Sequence, residues 1–152
     1  MTFDDAFESY LTTALPELVG RGMHSNVFVP TAFIGRRPGW ERRDGFSFGD
    51  KRVLSEKELR TLPESLVSVE SHSVSHRGLC SLGDSELVRE MSESKQVLEK
   101  ITGSPVTMIA FTYGEYDDRV VNAAVRAGYR RGFTVVPRKQ KVGSDTFIYG
   151  RQ

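Results

Sequence analysis

The sequence lacks three features that would each point to a particular class of protein. Its single cysteine, Cys80, excludes an internal disulfide framework, which suits a reducing compartment and leads us to expect a cytoplasmic protein. Its 21 basic and 20 acidic residues give a net charge of +1, so the composition indicates no general attraction to nucleic acid or to an anionic membrane. We also find no signal peptide ahead of Thr2 and no apolar run near the roughly 20 residues that cross a bilayer.

Length and patterning predict one domain of parallel β/α architecture. A chain of 152 residues suffices for a core of its own, so we expect residues 1–152 to form a single domain. Short apolar runs alternate with amphipathic helical segments, which is typical of parallel sheets. Residues 1–3 resemble the end of a strand whose body is missing, so the first strand is expected to be truncated. The other predicted strands are 26–30, 66–70, 106–111, 133–136 and 147–149.

Local sequence signals predict where several helices begin or end and which residues form the apolar face of the longest one. Ser55 and Glu58 form a capping box that predicts a short helix, and the clearest helix spans residues 84–102 and ends at Gly103. Pro16 is expected either to open the regular part of the first helix or to kink it, because proline lacks an amide hydrogen. The apolar face of the helix over 84–102 is predicted to consist of Leu87, Val88, Met91, Leu98 and Ile101.

Three polar motifs each come directly after a predicted strand. They are Asp4-Asp5, the pentapeptide His72–His76 and Tyr113-Gly114, and the pentapeptide holds two of the chain's three histidines. Since the carboxyl ends of parallel strands share one rim, where active sites collect, we expect the three motifs to converge. Two imidazoles and a carboxylate are good zinc ligands, and the second carboxylate could then accept a proton from the attacking water.

Each motif alone also has an ordinary explanation. An Asp-Asp pair ahead of a helix suits an N-cap, two nearby histidines can simply share a polar loop, and Tyr-Gly suits a turn. The metal-site hypothesis therefore depends on the three motifs occurring together at equivalent positions in the fold.

At these residues the sequence resembles the polysaccharide deacetylases of the nodulation-type chitooligosaccharide deacetylase superfamily. Residues 2–6, Thr-Phe-Asp-Asp-Ala, are similar to the first motif of the family, Thr-Phe-Asp-Asp-Gly, and residues 71–76 to the second, Ser-His-Thr-x-x-His-Pro. Residues 110–117 are similar to the third, commonly Ala-Tyr-Pro-Tyr-Gly-x-Tyr-Asp. Two connecting segments, 27–31 and 127–129, also match, so the resemblance spans nearly the whole chain in the right order.

The resemblance implies a fold, a reaction and a set of site residues. The fold is an irregular, incomplete (β/α) barrel of about six to seven strands. The reaction is metal-dependent removal of acetyl groups from an N- or O-acetylated carbohydrate. This acetylated carbohydrate is the substrate, and it is the binding partner that we expect. One divalent ion, expected to be zinc, would be held by Asp5, His72 and His76. Asp4 would be the base, and the backbone N–H of Tyr113 would stabilise the oxyanion.

Residues 35–52 are expected to form a long loop over one mouth of the fold. Its aromatic residues Trp40, Phe46 and Phe48 could stack on sugar rings, or they could simply pack the loop down. We assign Trp40 and Phe111, the latter from the third motif, as candidate substrate contacts.

Four departures from the family pattern bear on activity. Ala6 replaces a glycine, Arg77 replaces a proline, and Ala110 stands where an arginine often orients the base, so Asp4 is expected to be held less firmly. No histidine follows His76, whereas many members use a late histidine as general acid, and loss of such a group costs about 10²–10⁴-fold in rate. The alternative is therefore a weakly active or non-catalytic relative that binds a metal and a glycan.

Overall fold

Each strand of the sheet pairs in parallel with the next strand along the chain. The computed structural model describes residues 1–40, 45, 47–137 and 147–151, and within them the strands lie in the order β1-β2-β3-β4-β5-β6. With helices in the connections, this curled sheet is the incomplete (β/α) barrel predicted from the sequence. The strands are β1 (Thr2–Phe3), β2 (Ser25–Val29), β3 (Val67–Ser71), β4 (Met108–Ala110), β5 (Arg131–Thr134) and β6 (Ile148–Gly150).

The helices begin and end largely where local sequence signals predict. Pro16 lies in the first turn of the first α-helix, directly after a π-helix over Tyr10–Ala14, so its missing amide hydrogen falls where the wider π pattern changes to the α pattern and not in the middle of the α-helix; Pro16 therefore opens the regular part of this helix. The capping box of Ser55 and Glu58 is present, and Gly103 ends the longest helix in a left-handed conformation. The helices are α1 (Leu15–Gly20), preceded by a π-helix (Tyr10–Ala14), α2 (Glu56–Arg60), α3 (Asp84–Thr102) and α4 (Asp118–Arg126).

Among the described residues, no helix combines the length and the apolar character that crossing a membrane requires.

Helix α3 supplies one side of the core that packs against the sheet. The prediction that Val88 shares its buried face is wrong, because the side chain of Val88 is 53% exposed. Val88 lies about 100° around the helix from Leu87, which turns it towards solvent. The buried residues of α3 are Leu87, Glu90, Met91, Ser94, Leu98 and Ile101.

A carboxylate supplements the backbone ladder between β3 and β4. Ser71 and Ile109 are the register pair of these strands, and beside them Glu70 Oε2 accepts hydrogen bonds from the amides of Thr107 and Met108 at 2.9 and 2.7 Å. Burial raises the pKa of Glu70 to about 7. These two bonds hold the start of β4 and therefore help to fix the rim where β4 ends.

Candidate metal centre

The chain leaves β1 through a turn that separates two adjacent carboxylates. Asp5 and Ala6 have φ angles of 65° and 47°, in the left-handed region that costs a residue with a side chain roughly 1–2 kcal/mol. Ala6 is completely buried, so packing holds this turn although alanine replaces the glycine of the family motif. As a result Asp5 faces the two histidines of the pentapeptide, whereas Asp4 faces Arg151.

Both histidines of the pentapeptide are buried beyond the end of β3. Nδ1 of His72 lies 2.7 Å from the backbone oxygen of Ala110; since a carbonyl can only accept, Nδ1 carries the hydrogen and Nε2 keeps its lone pair. Burial lowers the pKa of His72, which favours this neutral form. Oδ1 of Asp5 lies 3.6 Å from Nε2 of His72 and 3.1 Å from Nε2 of His76.

These three side chains have the composition and the spacing of a metal site. One ligand atom from each of Asp5, His72 and His76 lies within 4.8 Å of the other two. Within the described part of the chain, Asp5 Oδ1 and His76 Nδ1 are buried without a hydrogen-bond partner, which is rare for polar atoms in native proteins. A cation among the three would satisfy the Asp5 oxygen, and this ligand set suits zinc with one position left open. The residues therefore fit the expected metal.

Arg151, which follows β6, fixes the second carboxylate. Its Nη1 and Nη2 donate to Asp4 Oδ1 and Oδ2 at 2.5 and 2.7 Å, and such bidentate pairs are strong and directional. Burial acts to raise the pKa of Asp4, but the hydrogen bond from Arg151 and the positive charge around the carboxylate outweigh it, so this pKa lies below its usual value. The expectation that Ala110 leaves Asp4 loosely held is corrected, because the arginine comes from another strand end. The sequence carried one signal: Arg151 closely follows the predicted strand 147–149 on the same rim.

The third motif forms a tight turn at the end of β4. Tyr113 has φ 58° and ψ 8°, and its ring lies edge-on to that of His76 with centroids 5.1 Å apart. Thr112 Oγ1 donates to the backbone oxygen of Arg77 at 2.6 Å, which joins this turn to the segment after His76. The structure thus brings the three motifs together at one rim.

Trp40 packs directly against one of the proposed ligands. Its ring stacks on His76 with centroids 4.2 Å apart and an angle of 18° between the planes, and it meets the edges of Phe33 and Phe48 at 4.8 and 5.4 Å. One face of the indole is therefore covered by His76, which favours the packing alternative over a sugar platform. The related expectation for Phe46 lies outside the described residues.

Phe111 is not available to a substrate. Its side chain has no exposed surface, and its ring stacks on that of Tyr116 with centroids 5.5 Å apart. The assignment of Phe111 as a substrate contact is therefore wrong: the side chain turns into the core where β4 ends.

Comparison with known proteins agrees with the family resemblance of the three sequence motifs. The family model described as "Polysaccharide deacetylase" matches residues 1–132 of the chain. YxkH of Bacillus subtilis (strain 168), a protein named as a polysaccharide deacetylase, is 28% identical over 137 residues, which are 90% of this chain and 44% of that protein. The chain thus spans less than half the length of this relative.

Solved structures share the fold. The Streptococcus pyogenes deacetylase PplD, solved in complex with acetate, superimposes with a TM-score of 0.83 at 23% identity, covering 99% of this chain and 61% of that one. BA3943 of Bacillus anthracis, described as a CE4 family pseudoenzyme, superimposes with a TM-score of 0.63 at 19% identity, covering 84% of this chain and 40% of that one. At these identities the likeness establishes the fold alone.

Proposed function

The chain belongs to the polysaccharide deacetylase family, and on that basis we propose that it is a metal-dependent hydrolase that removes acetyl groups from an N- or O-acetylated carbohydrate. One observation carries the proposal: ligand atoms of Asp5, His72 and His76 gather within 4.8 Å of one another, beside a carboxylate that an arginine holds in place. A binding protein has no need of that oriented carboxylate.

Asp5, His72 and His76 would hold one divalent ion, with zinc as the expected ion. When bound, zinc would act as a Lewis acid and lower the pKa of a bound water to about 7.

The chain's own residues would then orient the substrate and move the proton. Asp4 is ionised near neutral pH because its pKa is lowered, and each of its oxygens keeps a lone pair that Arg151 does not use. Asp4 would accept the proton of the attacking water there and return it to the departing amine or alcohol. The backbone N–H of Tyr113, at the turn beside His76, would stabilise the oxyanion of the acetyl group.

Acetate release by the purified chain tests this proposal. Acetylated amino-sugar oligomers and O-acetylated glycans are supplied with zinc, and acetate is measured for the wild type, Asp4→Asn and His76→Ala. Asp4→Asn is expected to lose about 10²–10⁴-fold in kcat, because it removes the base, while zinc still binds; His76→Ala is expected to lose zinc as well. Asp118→Asn, an exposed carboxylate at the start of α4, is the control and should match the wild type. Acetate release that Asp4→Asn leaves unchanged would refute the assignment.

A non-catalytic glycan-binding relative is the second candidate. A structural neighbour that shares the fold is described as a pseudoenzyme, so the fold is compatible with a protein that lacks turnover. This candidate predicts that the purified chain binds zinc and a glycan but releases no acetate across the substrate panel. Turnover that depends on Asp4 would exclude it.

A further inference from the structure

We propose that Glu90, a residue of α3 outside the ligand cluster, is a positioning residue that presets His76 for metal binding. This inference rests on the proposed metal centre, and it concerns the loop between the two histidines and the helix behind that loop.

The loop has a backbone shape that its own sequence does not favour. Ser73 and His76 have φ angles of 65° and 57°, in the left-handed region that non-glycine residues rarely adopt. Residues 72–76 lie outside every described helix and strand, and among the described bonds only that from the His72 amide to the Val29 backbone oxygen, at 3.0 Å, continues the pairing of β3 with β2. Contacts from neighbouring elements must therefore keep the loop in this shape.

The carbonyl side of the loop is held from the segment after β2. The backbone oxygens of Ser73 and Val74 accept hydrogen bonds from the amides of Thr31 and Ala32 at 3.1 and 3.0 Å. These bonds leave the amides of the following residues facing the opposite side.

The amides of His72 and Ser73 donate to the backbone oxygen of Val29 and to Ser71 Oγ at 3.0 and 3.2 Å, whereas the described contacts of the next two amides, those of Val74 and Ser75, go to Glu90. Its Oε2 accepts hydrogen bonds from the amides of Val74 and Ser75 at 2.7 and 2.9 Å, and its Oε1 accepts one from the Ser75 hydroxyl at 2.5 Å. Glu90 is only 4% exposed, so water competes little for these bonds, and bonds to a carboxylate are among the stronger ones in proteins. One side chain thus fixes two successive peptide units.

His76 depends on this backbone more than His72 does. The ring of His72 is oriented by its own hydrogen bond to a backbone oxygen. Within the described residues, Nδ1 of His76 has no hydrogen-bond partner, and its ring is held by stacking on Trp40. Because His76 directly follows Ser75, Glu90 fixes the point from which the ligand side chain extends.

Zinc affinities measured by titration calorimetry on the purified chain test the inference. Glu90→Ala removes all three bonds and is expected to weaken zinc binding about 10–100-fold, the range typical of groups that support metal ligands. Glu90→Gln keeps an acceptor for the two amides and can donate to the Ser75 hydroxyl, so its affinity should stay within about 3-fold of the wild type. The matched control is Leu98→Ala, which truncates a fully buried side chain on the same helix, about 12 Å from Glu90 along the helix axis. It should lower Tm and leave zinc affinity unchanged.

Amide hydrogen exchange without zinc gives a second readout. Exchange at Val74 and Ser75 should accelerate in Glu90→Ala by more than the loss of global stability explains, and it should not do so in Leu98→Ala. If Glu90→Ala does not fold, Glu90→Asp takes its place with the same expectation, since its carboxylate ends one methylene short of the loop.

Three results would overturn the inference. The first is a folded Glu90→Ala that binds zinc within about 2-fold of the wild type, well below the expected loss. The second is a Leu98→Ala that weakens binding as much as Glu90→Ala does. In both cases the wild type still binds zinc and the proposed metal centre stands. The third is a wild type that binds no zinc, which refutes the metal centre itself together with this inference.

Discussion

Asp4 and Asp5 are neighbours in sequence, yet their surroundings give them different chemistry. Oδ1 of Asp5 faces two imidazole nitrogens that can join it around a cation. Both oxygens of Asp4 instead accept hydrogen bonds from a single guanidinium, which leaves lone pairs for a proton. At the residue scale, the proposed division into a metal ligand, Asp5, and a base, Asp4, follows from which strand ends face each carboxylate.

Replacing Arg151 should separate catalysis from metal binding. Arg151→Ala is expected to lower kcat for acetate release by about 10²-fold, because a base that is no longer aimed at the water loses rate on that scale. Arg151→Lys should recover part of the rate, since lysine keeps the charge but cannot form the bidentate pair. Zinc affinity should not change, because the described hydrogen bonds of Arg151 go to Asp4 and Thr134. Initial rates and titration calorimetry measure the two quantities.

The control for Arg151 is Arg131→Ala. The guanidinium of Arg131 lies over the ring of Tyr149 at the same edge of the sheet, and its loss should leave the rate of acetate release unchanged. An active Arg151→Ala beside an inactive Asp4→Asn would show that other contacts position the base.

The convergence of the three proposed ligands was predictable from the sequence, but the residues that hold the proposed site in place, Arg151 and Glu90, were not. Asp5, His72 and His76 each follow a strand of a parallel sheet, so a common rim could be inferred. Arg151 lies 147 positions from Asp4 and belongs to no motif, and its partner is set by how the edges of the sheet meet. Glu90 carries no signal at all in the sequence, because any helix presents glutamates.

Among the secondary-structure elements, the ends of helices were easier to predict from the sequence than the side of a helix that is buried. The capping box of α2 and the left-handed glycine after α3 are local chemistry, and both appear as predicted. Val88 could be assigned only by knowing which side of α3 meets the sheet. Val135 and Val136, predicted as part of a strand, lie beyond β5 and are 53% and 55% exposed. An apolar run does not show where its partner strand stops.

The capping box of α2 predicts a pH-dependent stability. Glu58 accepts hydrogen bonds from Arg52 at 2.7 and 2.9 Å, and these, with the bonds from Ser55, lower the pKa of Glu58 from 4.5 to about 2. A pKa lowered by folding means that ionised Glu58 stabilises the fold above about pH 4.5 and that this stabilisation is lost as the pH falls towards 2. Glu58→Gln should therefore reduce the free energy of unfolding by about 1–2 kcal/mol at neutral pH.

Urea denaturation from neutral pH down to about pH 3 measures that difference. The gap between wild type and Glu58→Gln should stay constant to about pH 4.5 and then narrow. Glu93→Gln, at an exposed glutamate of α3, is the control and should change stability by no more than about 0.5 kcal/mol. A gap that persists undiminished at the lowest pH would contradict the assignment.

In the molecule as a whole, the pair of Arg151 and Asp4 connects the two edges of the open sheet. β1 and β6 stand at opposite ends of the strand order, and these two residues follow them. The guanidinium also lies over the ring of Phe28, which meets the ring of Phe133 at 5.4 Å. The proposed base is therefore held across the seam of the incomplete barrel, and its position depends on the whole sheet.

Zinc should stabilise the whole molecule measurably. At a free concentration 100 times its Kd, a ligand of the native state adds about 2.7 kcal/mol, which corresponds to an increase in Tm of about 5–10 °C for a domain of this size. Thermal unfolding with zinc and then with a chelator measures the shift. His72→Ala should abolish it. His24→Ala, which changes the one histidine outside the pentapeptide, should keep it. An equal shift in His72→Ala would place the zinc elsewhere.

The stacking of the Trp40 indole on His76 makes the site accessible to fluorescence measurements. Trp40 is the only tryptophan in the chain, and its ring lies 4.2 Å from the imidazole, centroid to centroid. The emission of an indole depends on the groups in contact with its ring, so a cation bound at the proposed ligand His76 would change the fluorescence of Trp40. Metal binding could therefore be followed without a label and in real time.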